Sequence, residues 1–190
     1  MAVSLGPNGL AGDGGGVEVS TGNLTTLGLN TSGEPSNIVC PLPSGYDYFR
    51  LFMRWNNTTV NTLKGRVFLV AFSGGTQLAC EANSWRLRRG TAGSQNGALE
   101  NVNNASSLYS LIATDVDAAT LNNLVVDIDG QSGYRPAIIW DGNYTHSGNG
   151  SSRMLGTMHY NSVTRYTGVG INLDNLAVVN FEYRLVGYSL

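Results

Sequence analysis

DYFRLFMRW, residues 47–55, decides the fold. Phe49, Leu51, Met53 and Trp55 stand at every second position, with Tyr48, Arg50, Phe52 and Arg54 between them. Successive side chains of a strand point to opposite faces, so this spacing predicts a half-buried β-strand with one apolar face turned to a core.

The same reading extends to the other end of the chain. In VVNFEYRLVGYSL, residues 178–190, Val179, Phe181, Tyr183 and Leu185 face one way while Asn180, Glu182 and Arg184 face the other. RVFLVAF, residues 66–72, is apolar from Val67 to Phe72, as a strand covered on both faces would be, and Ser73-Gly74-Gly75 ends it. LVVDIDG (124–130), RPAIIWDGNY (135–144) and RMLGTMHY (153–160) read as further strands. Asp141-Gly142 predicts a tight hairpin, and Asp174-Asn175 a two-residue turn into the closing strand. SWRLRRG (84–90) reads as a short edge strand or loop, its arginines blunting the edge against stray pairing. SSLYSLIA (106–113) suits a strand or a helix, and DAATLNNL (117–124) a helical turn.

From Met1 to Val39 the sequence is Gly-rich with short apolar patches, and it is expected to be an arm that orders on a partner. Short strands with frequent turns and almost no helical period predict an all-β fold. Its expected form is an antiparallel β-sandwich of jelly-roll topology over residues 40–190, with an extended N-terminal arm over residues 1–39.

Composition narrows the partners. The chain has 190 residues, enough for one domain with a proper core. Only 13% of them are charged, against roughly 25% in ordinary soluble domains, which leaves a surface of neutral polar groups. A net charge of −2 supplies no field to gather nucleic acid or an anionic membrane, so protein or sugar partners are expected. Lys64 is the sole lysine among eleven basic residues; arginine suits planar and stacked contacts at interfaces. MAVSLGPNGLAGDGGG carries neither a basic region nor an apolar run, and no stretch is apolar enough for a spanning helix, so folding in a cytoplasm is expected.

The chemistry-bearing residues point away from catalysis. GDGGG, residues 12–16, lacks the GK[ST] of a phosphate loop. DIDG, residues 127–130, opens like a calcium loop, but Ile138 stands where the bidentate glutamate belongs, and a capped hairpin turn is expected instead. Asp115 with Asp117, or Asp127 with Asp129, would serve glycoside hydrolysis only by facing a sugar from separate positions. His146 and His159 come with no G-x-S-x-G elbow. Cys40 and Cys80 form no CxxC pair and are expected as two buried free thiols. No catalytic residue, metal or cofactor is therefore expected. Trp55 belongs to the core, whereas Trp85 and Tyr134 are aromatic candidates for stacking on a sugar. Arg86, Arg88 and Arg89 beside Trp85 could bind carboxylates bidentately, so Trp85, Arg86, Arg88 and Arg89 make the candidate interface.

Four passages resemble a loose family of small β-sandwich virion proteins of tailed bacteriophages. The family's early Y-x-x-(L/F)-R-L strand is matched by Tyr46-Asp47-Tyr48-Phe49-Arg50-Leu51, and its apolar strand with a small Gly turn by FLVAFSGG. GTMHYNSVTRYTGVGINLDN looks like its penultimate strand pair, and YRLVGYSL like its closing strand, with Leu185-Val186-Gly187 in place of Leu-Tyr-Gly. The resemblance covers residues 45–190. It implies a non-enzymatic structural role in a virion, after folding in the cytoplasm of the bacterial host. The expected function is a capsid decoration or cement protein, a homo-oligomer (a trimer by preference) bound to the major capsid protein or other virion proteins. The alternative is a carbohydrate- or receptor-binding module of a tail or fibre tip, and a third reading is an enzyme acting on glycans.

Overall fold

A computed structural model describes residues 4–6, 9–11, 17–26, 36–59, 65–88, 99–107, 110–116, 121–129, 135–146, 150–174 and 176–189. The strands are β1 (Ser4–Gly6), β2 (Gly9–Ala11), β3 (Val17–Thr26), β4 (Ser36–Pro41), β5 (Tyr48–Thr59), β6 (Gly65–Ser73), β7 (Thr76–Gln77) and β8 (Cys80–Arg88). They continue with β9 (Leu99–Ser107), β10 (Ser110–Val116), β11 (Leu121–Asp129), β12 (Ala137–His146), β13 (Gly150–His159), β14 (Gly168–Asp174) and β15 (Leu176–Tyr188). The fold is all-β, every strand pairing is antiparallel, and no helix occurs among the described residues.

Two runs of strands build the larger sheet. One reads β3-β15-β5-β11-β12-β13-β8-β9, the other β10-β6-β14-β4 with β7 paired to the end of β6, and a bridge, Val116 to His146, links β10 to β12. Strands β1 and β2 pair only with each other. Within the segment expected as an arm, Val17–Thr26 pairs with β15, and β4, which begins in it and crosses its expected end at residue 39, pairs with β14.

Alternation decides which face each strand buries. Phe49, Leu51, Met53 and Trp55 are at most 3% exposed, as the spacing in DYFRLFMRW predicts. Leu124, Val126 and Ile128 of β11, Ile138 and Trp140 of β12, and Phe181 and Leu185 of β15 extend that face. Val67, Leu69 and Ala71 of β6, Val169 and Ile171 of β14, and Ile38 and Cys40 of β4 come from the second run and join the same buried cluster. Each such side chain removed from water contributes on the order of 1.5–3 kcal/mol, against the backbone entropy lost on ordering the strand.

Several turn expectations are overturned by pairing. Asp141-Gly142 lies inside β12, registered against Val125-Leu124 on one side and Leu155-Met154 on the other. A Cβ on Gly142 would sit 2.8 Å from Leu124 Cδ1, so the glycine there makes room for a neighbour in mid-strand. Asp174-Asn175 joins strands that do not pair: β14 lies between β6 and β4, β15 between β5 and β3. Residues 127–129 are strand, hydrogen-bonded to β5 and β12, as the reading of LVVDIDG has it and against a turn at DIDG. Residues 121–124 of the expected helical turn are strand as well, paired with β5 throughout and with β12 from Asn123, which outweighs a weak helical pattern; residues 117–120 lie outside the described residues. Strand β8 is interior, between β13 and β9.

The two ends of the phage-like resemblance meet at Gly187. It faces the Tyr46 ring so closely that a Cβ there would lie 2.7 Å from ring carbons. The Asp47 amide donates to the Tyr188 carbonyl at 2.8 Å, and the Tyr48 and Tyr188 rings sit 5.4 Å apart. Tyr46 in turn packs on buried Phe49 at 5.8 Å. Gly187→Ala should lower stability by about 1–3 kcal/mol through forced displacement of this ring. Urea unfolding checks it, and an unchanged midpoint would refute the close packing.

Candidate binding face

The outer face of the longer run gathers the exposed functional groups. Strand β5 supplies Arg50, Phe52 and Arg54, β11 supplies Asn123, Val125 and Asp127, and β12 supplies Ile139 and Asp141. Arg153 and Leu155 of β13 and Glu182 and Arg184 of β15 complete it. Phe52 is 39% exposed, Ile139 57% and Leu155 38%. Each stands beside a buried neighbour in its own strand, so alternation itself drives these apolar side chains outward.

Three arginines of this face are matched within the chain. Arg50 donates through Nε and Nη2 to the two carboxylate oxygens of Asp127, at 2.6 and 3.0 Å, the pair being set opposite each other by the β5–β11 register. Arg153 makes the same two-pronged contact with Asp141, its Nε lying 2.8 Å from Oδ1. Arg184 pairs with Glu18. His159 Nε2 lies 3.3 Å from Glu81 Oε2 at the adjoining end of β13 and β8.

Partial burial pushes the Asp127 carboxyl up, but hydrogen bonds from Arg50 and Tyr48 and the charge of Arg50 outweigh it and hold the group below its ordinary value. Burial first, and then the bond to Asp127, push the Tyr48 hydroxyl up to about 12. Both oxygens of Asp127 accept hydrogen bonds from the Arg50 guanidinium.

The candidate residues of the sequence fall as follows. Trp85, Arg86 and Arg88 lie on β8, their backbones registered against Leu155, Met154 and Ser152 of β13. The side chains of all three, and Arg89 and Tyr134 entirely, lie outside the described residues. Asp115 lies on β10, Asp117 is outside the described residues, and Asp129 is registered against Tyr48 and Ala137. His146 pairs with Val116 through its backbone. Trp55 is core, 3% exposed. Among the described residues, no three His, Cys, Asp or Glu side chains gather as metal ligands.

Cys40 and Cys80 are free and buried. Burial pushes the Cys40 thiol up to about 12; for Cys80 it pushes the thiol to about 11, against a lowering contact from Tyr166. Sequence reasoning did not single out Ile139, Leu155 or the charge pairs. The signal for the first two was present in Ile138-Ile139-Trp140 and Met154-Leu155, apolar runs in which one member must face outward.

No protein-family model matches the chain, and no curated protein does. Among solved structures, it is similar to the CBM2 module of the evolved Dit of Lactobacillus casei BL23 phage J-1, at 14% identity and a TM-score of 0.27, over 90% of this chain and 69% of that one. It is also similar to an alginate lyase solved as a double mutant with alginate tetrasaccharide, at 13% identity and a TM-score of 0.25, over 84% of this chain and 79% of that one. TM-scores of 0.27 and 0.25 do not amount to a shared fold.

Two measurements probe this geometry. Because the Asp127 value is depressed on folding, its contribution is complete above the unfolded carboxylate value of about 3.9 and is lost as pH falls through the folded one. Arg50 and Asp127 are 43% and 26% exposed, so Asp127→Asn should cost about 1 kcal/mol or less at neutral pH, and the difference from wild type should vanish in acid. A gap that persists in acid would rule out the ion pair as its source. The two thiols should resist a disulfide reagent in the folded protein and react once it is unfolded; rapid labelling of the native chain would contradict their burial.

Proposed function

We propose that the protein is a non-enzymatic structural component of a tailed-phage virion, a capsid decoration protein that docks on the assembled head shell as a homo-oligomer, a trimer by preference. In this reading the two runs of strands are the facing layers of a sandwich with jelly-roll connections.

The observation that carries the reading is the outer face of the longer run. It exposes Phe52, Ile139 and Leu155 while Arg50, Arg153 and Arg184 are already neutralised by Asp127, Asp141 and Glu18. A partner surface laid over these side chains does not need to supply charges for the three paired arginines, and the gain comes from apolar area removed from water. A ligand that binds only assembled shells shifts the assembly equilibrium towards them, which is how a decoration protein stabilises a head. The phage-like resemblance supplies the virion; the clustering of its strand β5 and strand β15 motifs around Gly187 supports treating them as one structural signature.

Cosedimentation with shells lacking the protein tests this. Wild type should pellet with the shells, and binding should survive a rise in salt from about 0.05 to about 0.5 M, since exposed unpaired charges contribute little. Ile139→Asp, which places an unmatched charge in the apolar patch, should leave the protein in the supernatant. Wild-type protein that stays in the supernatant would end the decoration reading.

A further inference from the structure

One opposed pair of charges on the outer face does not close. Arg54 and Glu182 stand directly opposite in the register of β5 and β15, where unlike charges ordinarily pair. No hydrogen bond or ion pair joins them, in contrast to Arg50–Asp127, Arg153–Asp141 and Arg184–Glu18. Both instead line an open groove of about 440 Å³ across β15, β5 and β11, together with Phe52, Asn123 and Val125. That volume falls within the roughly 300–1,000 Å³ of small-molecule sites.

The groove offers an aromatic ring, a guanidinium with free donors, a carboxylate with free acceptors and an amide, within the width of three strands. Asn123 Oδ1 accepts from Asn143 Nδ2 at 3.4 Å, which leaves the Asn123 amide nitrogen to donate. A phosphate or carboxylate ligand would meet Glu182, an ammonium ligand would meet Arg54, and a purely apolar one would bury both charges unanswered. A peptide cannot add as a strand here, because β15, β5 and β11 are each paired on both sides. A ring bearing neighbouring hydroxyls satisfies every group: one hydroxyl accepts from Arg54, the next donates to Glu182, and the C–H face lies on Phe52.

We propose that this groove is a binding site for a neutral saccharide. The site shares Phe52 with the docking face but is centred on β15, β5 and β11, whereas Ile139 and Leu155 lie on β12 and β13, two and three strands from β5. Its presence on the same face makes the protein a surface that can hold a sugar whether or not the head is its platform.

Ligand-observed NMR on the full chain with glucose, galactose, mannose and N-acetylglucosamine and their disaccharides tests the site. At least one should bind, and Phe52→Ala and the isosteric Glu182→Gln should each weaken it by about tenfold or more while the thermal unfolding midpoint stays put. Ile139→Asp, which targets shell docking, should leave sugar binding unchanged. Failure of all the neutral sugars to bind would overturn the proposal, as would binding that survives both groove substitutions. Selective binding of an acidic sugar or a peptide to the groove would overturn it too. None of these results bears on cosedimentation, so the two readings fail separately.

Discussion

The pairing of β5 with β15 is the constraint on which the rest of the sheet depends. It runs from Tyr48 opposite Tyr188 to Thr59 opposite Leu176, joining residues more than a hundred positions apart. Strand β15 then carries β3, and β5 carries β11, β12, β13, β8 and β9 in succession. Removing this one pairing would leave β15 and β3 detached and expose the apolar flank of β5. Partners so distant in sequence must close long loops before any contact repays them, which places the chain among slowly folding topologies.

The local geometry at the Tyr46 end explains how such a distant pairing holds its register. Gly187 admits the Tyr46 ring, the Asp47 amide reaches the Tyr188 carbonyl, and Arg165 donates to the Tyr46 carbonyl from a third segment. A slip of one residue would turn Phe181 and Leu185 from the core to the solvent and put Glu182 and Arg184 inside. The cost of burying those charges is what pins the register.

Faces were legible in the sequence where alternation is clean. Phe49, Leu51, Met53 and Trp55, and Phe181 and Leu185, are buried as period-two spacing assigns them, with Tyr183 partly so; in the strand read as covered on both faces Val67, Leu69, Val70 and Ala71 are buried, but Phe68 and Phe72 only partly. Partners were not legible, because pairing is set by the whole sheet and not by the adjacent dipeptide. Asp141-Gly142 has the chemistry of a hairpin and lies in mid-strand, while Asp174-Asn175 leads from one run of strands to the other. The candidate face was half legible: Arg50, Phe52 and Arg54 were placed together on the polar side of β5, but Asp127 as the partner of Arg50 required the β5–β11 register. Trp85 and its arginines were chosen as neighbours in sequence, whereas the exposed patch comprises neighbours across strands.

The internal matching of charges on the outer face also fixes how fast it can find a partner. Salt-linked arginines and carboxylates cancel at a distance, so the face projects little field to orient an approaching surface or to raise the encounter rate above that of neutral proteins. Association then proceeds at the pace of undirected collision, and any lasting attachment must be achieved by slow release. In the proposed decoration role, residence time carries more weight than speed of capture.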